Sequence, residues 1–67
     1  MHDIEKHYAR VFSGQSGKQV LSHLRSLTIE KILGPNVSDE ELRWWAAQKA
    51  LVHQIENLIN RGNNPTQ

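Results

Sequence analysis

Leu42-Arg43-Trp44-Trp45-Ala46-Ala47-Gln48-Lys49-Ala50-Leu51-Val52-His53-Gln54-Ile55-Glu56-Asn57-Leu58-Ile59-Asn60-Arg61 reads as one long amphipathic helix. Trp44, Gln48, Leu51, Val52, Ile55, Leu58 and Ile59 share one face, with Trp45 at its margin. Immediately upstream, Ser38-Asp39-Glu40-Glu41 is a capping box, and its carboxylates also complement the helix dipole. Arg61 falls in the last turn and Gly62 follows as the expected C-cap. Adjacent side chains diverge by about 100° on a helix. One of Trp44 and Trp45 therefore enters a core while the other faces its edge or a partner, and the pattern does not say which.

Working outward, Gly34-Pro35 marks the end of a preceding helix. That second helix is expected to begin at Ser16-Gly17-Lys18-Gln19, a Ser-x-x-Gln capping box, and to run to about Leu33. Val20, Leu21, Leu24, Leu27 and Thr28 lie on one of its faces, and Ile29, Ile32 and Leu33 widen the stripe. A first helix, about Asp3 to Phe12, carries Ile4, Tyr8, Val11 and Phe12 as a single apolar stripe before Ser13-Gly14-Gln15 breaks it. No segment alternates as a strand does. The expected fold is all-α, a small three-helix domain with a short, a medium and a long C-terminal helix. It occupies residues 1–62, and residues 63–67 form a disordered, flexible tail without an apolar side chain.

At 67 residues the chain has room for one small core. Such a core rarely supplies more than about 3–5 kcal/mol, and with no cysteine neither a disulfide nor a thiolate metal site can staple it. Helix packing or oligomerisation must provide the stability. No apolar run approaches the length of a membrane span, and the first residues lack the layout of a signal peptide, so no membrane insertion is expected and an intracellular place of assembly is.

Net charge is +1, but its distribution is uneven. Lys6, Arg10, Lys18 and Arg25 fall in a stretch with no acid, and Asp39, Glu40 and Glu41 restore the balance. The basic half is either a set of solvated helix faces or a shallow contact for nucleic acid or an acidic protein, with Lys18 and Arg25 as its candidate residues.

The residues for catalysis and metal binding do not assemble. His2 and His7 lie near a helix end, and His53 with Glu56 offers a two-ligand face that nothing completes. Gly14-Gln15-Ser16-Gly17-Lys18 lacks the spacing of a phosphate loop, the hydroxyl residue after its lysine and a preceding strand. No serine has a base and an oxyanion donor arranged around it. A noncatalytic chain without cofactor or metal is expected. Cast as a helix-turn-helix, the second helix turns apolar at Val20-Leu21, where a recognition helix presents polar side chains. The pI of about 8.2 is also modest for a DNA-binding domain.

Two features exceed the needs of a monomeric core. Gln48 sits in the middle of the apolar face of the long helix. Leu42, Ala46, Ala50 and His53 lie on the opposite side, thinned by Ala46, Ala47 and Ala50, so that another helix can approach closely. The candidate protein-interface residues are accordingly Leu42, Arg43, Trp44, Trp45, Ala46 and Ala50.

Tyr8-Ala9-Arg10-Val11-Phe12, Gly17-Lys18-Gln19-Val20-Leu21-Ser22-His23-Leu24, Leu27-Thr28, Leu33-Gly34-Pro35 and Gln48-Lys49-Ala50-Leu51-Val52-His53-Gln54-Ile55-Glu56 follow one another in an order and spacing that resemble a known family. It is a family of small proteins from tailed phages and prophages, named after protein nineteen of a Bordetella podophage. The resemblance covers residues 8–62. It implies a noncatalytic virion protein, assembled in the host cytoplasm and present in many copies in a symmetric assembly. Such a protein would bridge larger structural proteins near the portal, the head interior or the DNA-ejection apparatus. Its expected partners are portal, shell or internal proteins, with non-specific contact to packaged DNA open to Lys18 and Arg25. The family supplies no active-site residues. Its members tend to have an acidic residue and a glycine where this chain has Ala46-Ala47. The alternative is a small intracellular DNA-binding regulator or assembly factor that uses its first two helices.

Overall fold

The structure, a computed structural model, describes residues 2–64. Three helices follow one another, α1 (His2–Val11), α2 (Gln15–Leu27) and α3 (Asp39–Gly62), and no strand occurs among the described residues. The all-α reading with helices of increasing length is therefore correct.

At the start of α3 the expected capping box is formed. The Ser38 hydroxyl accepts from the Glu41 backbone N–H at 3.2 Å, and the Glu41 carboxylate accepts in return from the Ser38 backbone N–H at 3.5 Å. Three acids in the first turn and Arg61 in the last complement the dipole.

The boundaries of α2 differ from those expected. Its N-cap is Gly14, with extended backbone and no side-chain cap, so Ser16 lies inside the first turn rather than capping it. Gly17 explains the early start. A Cβ there would meet the Val11 carbonyl oxygen and lie 2.6 Å from Phe12 Cα, so α2 can begin against the end of α1 only because this residue has no side chain. At the other end α2 stops at Leu27 rather than Leu33. The Arg25 carbonyl accepts from both Thr28 N–H (3.1 Å) and Glu30 N–H (2.9 Å), which draws the chain out of the helical path. Thr28 is buried and donates its hydroxyl to the Leu24 carbonyl at 2.7 Å. Gly34 consequently lies in the connection and caps nothing, and no described glycine has positive φ.

Gly62 is also not a cap. It is the last residue of α3, and Asn63 takes the C-cap with its N–H on the Ile59 carbonyl at 3.0 Å. Asn64 N–H in turn reaches the Arg61 carbonyl at 3.2 Å, so the first two residues of the expected tail close the helix end. Residues 65–67 of that tail lie outside the described residues.

Packing is centred where α1 meets the C-terminal part of α3. A Cβ on Gly62 would collide with the Glu5 carbonyl oxygen and lie 2.8 Å from the Ala9 methyl, so the two backbones meet at a glycine–alanine contact. Arg61 reaches Glu5 across it at 3.7 Å. This contact turns α1 away from its expected orientation. Ala9 is buried, whereas Ile4 and Val11 of the expected stripe are exposed.

The buried core is correspondingly slight. Val52 (4% exposed) and Ala9 (6%) are its only apolar members among the described residues, and no side chain there is fully buried. The chain exposes 5375 Å². A compact monomer of this mass would expose roughly 4,300 Å². Its radius of gyration, 14.3 Å, likewise exceeds the roughly 11 Å of a compact chain of this length. The molecule measures 44 × 24 × 14 Å, elongated and thin.

Candidate interaction surface

The length mismatch between α1 and α3 creates the surface. A helix rises about 1.5 Å per residue, so α3 is about 36 Å long and α1 about 15 Å. With α1 anchored at Gly62, even its far end lies no more than about 10 Å along from that contact. Leu51 is about 16 Å from Gly62 along the axis and Trp44 about 27 Å. Both lie on the side of α3 that Gly62 presents to α1, because about three and about five whole turns separate them from it. One face of α3 is thus covered at its C-terminal end and bare towards its N-terminus.

The exposures largely follow this geometry. Trp44 is 58% exposed and Leu51 59%, with Gln48 between them half-buried, while Ile55, Leu58 and Ile59, nearer to α1, are half-buried. The spacing Trp44, Gln48, Leu51, Ile55, Leu58, Gly62 alternates four and three residues. That is the repeat of a coiled-coil seam.

The two tryptophans are now distinguished. Trp45, expected at the margin, is the half-buried one, and Lys31 from the α2–α3 connection lies 5.4 Å above its ring. Trp44, placed on the apolar face of the helix, is the exposed one and meets Trp45 edge to face with centroids 4.8 Å apart. Of the other expected interface residues, Leu42, Arg43, Ala46 and Ala50 are all exposed. Leu42, Ala46 and Ala50 lie on the far side of α3 from the seam, so the structure does not gather the expected set into one patch. Leu51 and Gln48 are the seam residues missing from that set. Their signal was present in the sequence as the four-three alternation.

In the connection between α2 and α3, Ile32 is 91% exposed. A second, shallow apolar groove on α1 is lined by Ile4, His7, Tyr8, Val11 and Phe12. Of this stripe Ile4 and Val11 are exposed, while Tyr8 and Phe12 are half-buried.

The basic candidates separate. Arg25 is engaged within the fold, donating to the Glu56 carboxylate and lying 3.6 Å from Glu30. The hydrogen bond and charge of Glu56, aided by Glu30 against partial burial, raise the guanidinium pKa further above its ordinary value. Glu56 also has His53 Nδ1 at 3.6 Å one turn away on α3, beside the Arg25–Glu56 pair that ties α2 to α3. Among the described residues, no three His, Cys, Asp or Glu side chains come together as a metal site. Lys18 remains exposed, on an open polar surface of α2 with Gln15, Gln19, Ser22, His23 and Ser26. No described helix is long and apolar enough to cross a membrane.

Fold and surface together define a small helical module whose longest helix is only half covered by its own chain. The chain belongs to the family of Bbp19-like phage proteins, whose family model matches residues 8–63. Comparison with curated proteins and with solved structures gives no significant match.

Proposed function

We propose that this protein is a noncatalytic structural component of a phage particle. It is present in many copies and bridges larger proteins near the portal, the head interior or the DNA-ejection apparatus. The observation that carries this reading is the uncovered seam of α3 in a member of a phage-protein family. Apolar side chains such as Trp44 and Leu51 stay in water in the isolated chain, and a neighbouring helix would remove them from it. Low intrinsic stability is no obstacle in such a role, because binding adds to the stability of the folded form.

The alternative, a nucleic-acid-binding regulator acting through α1 and α2, draws support from Lys18 and its polar neighbours on α2. Of its two candidate cations, Arg25 is already committed to Glu56 and Glu30, which leaves Lys18. Affinity resting on so few phosphate contacts would be weak at physiological salt.

The test is quantitative mass spectrometry of purified, salt-washed particles, counting this chain against the portal and the major shell protein. A fixed stoichiometry related to portal or shell symmetry is expected. Absence from intact particles would refute the virion reading and leave the regulator or an assembly factor in its place.

A further inference from the structure

We infer that α2 is a latched arm. It opens from α3 as a unit while α1 and α3 stay paired, and the Arg25–Glu56 ion pair is the catch that holds it shut. The first observation is the contrast between the two shorter helices. α1 meets α3 backbone to backbone at Gly62, where a side chain would collide with the Glu5 carbonyl. The backbone of α2 runs farther from α3, and no residue of α2 is buried. Leu21 and Leu24 are half-buried, and Val20 and Leu27 are exposed. A segment with so few buried apolar contacts belongs to the low-stability end of a fold.

The second observation is a cleft between the two helices. Leu21 of α2 and Glu56, Asn57, Ile59 and Asn60 of α3 line an opening of about 280 Å³, wide enough to admit water beside the contact. The third is polar. Among the described residues, the bond from Arg25 to Glu56 is the only hydrogen bond or ion pair that joins α2 to α3. The Thr28 hydroxyl bonds back to the Leu24 carbonyl and not to α3, and His53 meets Glu56 within α3. Arg25 and Glu56 keep 35% and 21% of their side-chain surface exposed, so salt screens their attraction. The Arg61–Glu5 pair of α1 is screened as well, but the close backbone contact that seats α1 is not electrostatic. Closure of the arm therefore responds to ionic strength and the α1–α3 pairing does not. The eleven residues 28–38 can span about 36 Å when extended, so the connection permits α2 to leave without dragging α3.

This inference does not rest on the structural role proposed above, and its test needs only the purified full chain. Hydrogen exchange of the backbone amides is followed by mass spectrometry at about 0.01 M and about 1 M salt, which shortens the screening length from about 30 Å to about 3 Å. At both concentrations residues 19–27 are expected to exchange faster than residues 52–62. Added salt is expected to speed exchange of residues 19–27 by about threefold or more, with less than about a twofold change in residues 7–11 and 52–62. Glu56→Gln is expected to reproduce the faster exchange of α2 at low salt and to remove most of its salt dependence. His53→Gln, which alters a contact confined to α3, is expected to leave α2 unchanged.

One common exchange rate for the three helices, or a salt effect equal in all of them, would overturn the arm, and both are read on the wild-type chain. A Glu56→Gln protein whose α2 exchanges as slowly and as salt-dependently as the wild type would overturn the catch.

Discussion

Replacing Gly62 by alanine separates two accounts of the same glycine with opposite signs. In an open helix terminus without positive φ, glycine to alanine stabilises by up to about 1 kcal/mol through helix propensity. Here the added methyl would overlap the Glu5 carbonyl oxygen and sit 2.7 Å from the Glu5 carbonyl carbon and 2.8 Å from the Ala9 Cβ. Two of these three atoms are helix backbone, which cannot rotate away, so α1 as a whole must move off α3. Overpacking of this kind costs about 1–3 kcal/mol. The propensity gain offsets part of that, leaving a net loss of about 1–2 kcal/mol. Against a total of about 3–5 kcal/mol this is a large fraction. Each kcal/mol lowers the melting temperature of a domain this size by about 4–8 °C. Urea and thermal unfolding followed by circular dichroism, at a fixed low concentration, measure it. A Gly62→Ala protein as stable as the wild type, or more stable, would refute the close contact between α1 and α3 on which the uncovered seam depends.

Ser38→Ala removes one side of the capping box and is expected to cost about 1 kcal/mol, read as lower helicity and a lower melting temperature, with Ser38→Asp restoring most of it. Trp45→Ala is expected to destabilise the isolated domain by loss of its half-buried ring and the Lys31 contact. Trp44→Ala should cost less, about 0.5–1.5 kcal/mol through loss of its edge-to-face contact with Trp45, and unfolding curves of the two variants at low concentration compare them directly. Glu56→Gln removes the carboxylate that holds Arg25, so a double-mutant cycle with Arg25→Gln should give a nonzero coupling that shrinks with added salt. The raised Arg25 pKa contributes stability that is complete below the unfolded-state value and is lost only as pH rises through the folded one. Both lie far into the alkaline range, so deprotonation of Arg25 should not change stability between about pH 6 and about pH 10, which unfolding midpoints across that range check.

The helices were legible because their signals are local. Ser38 and Glu41 satisfy each other within four residues, and the α3 stripe is long enough to be unambiguous. The errors share a different physical origin. Ser16 has the residue type of a cap, but the start of α2 is set by how near Gly17 can come to Val11 and Phe12, a contact between segments. α2 stops because the Arg25 carbonyl accepts from both Thr28 N–H and Glu30 N–H and because Thr28 is buried, neither visible as periodicity.

The orientation of α1 was misread for the same reason. The Ile4-Tyr8-Val11 stripe suggests a buried face, yet the smallest side chains, Ala9 and Gly62, permit the closest backbone approach and take the contact. At the candidate surface, the presence of a tryptophan edge was legible, but its identity was not. Trp44 and Trp45 lie about 100° apart, and only the reach of α1 and the position of Lys31 assign them. Arg25 was legible as a cation but not as one already paired with Glu56, a residue distant in sequence and brought close by the fold.

The most direct measurement is hydroxyl-radical footprinting of Trp44, Trp45 and Leu51 in the dilute free protein and in intact particles. Strong labelling of Trp44 and Leu51 in the free chain and their protection in particles is expected, with Trp45 changing little between the two. Trp44 and Leu51 labelled equally in both states would contradict the claim that this half of α3 is where the protein joins its neighbours.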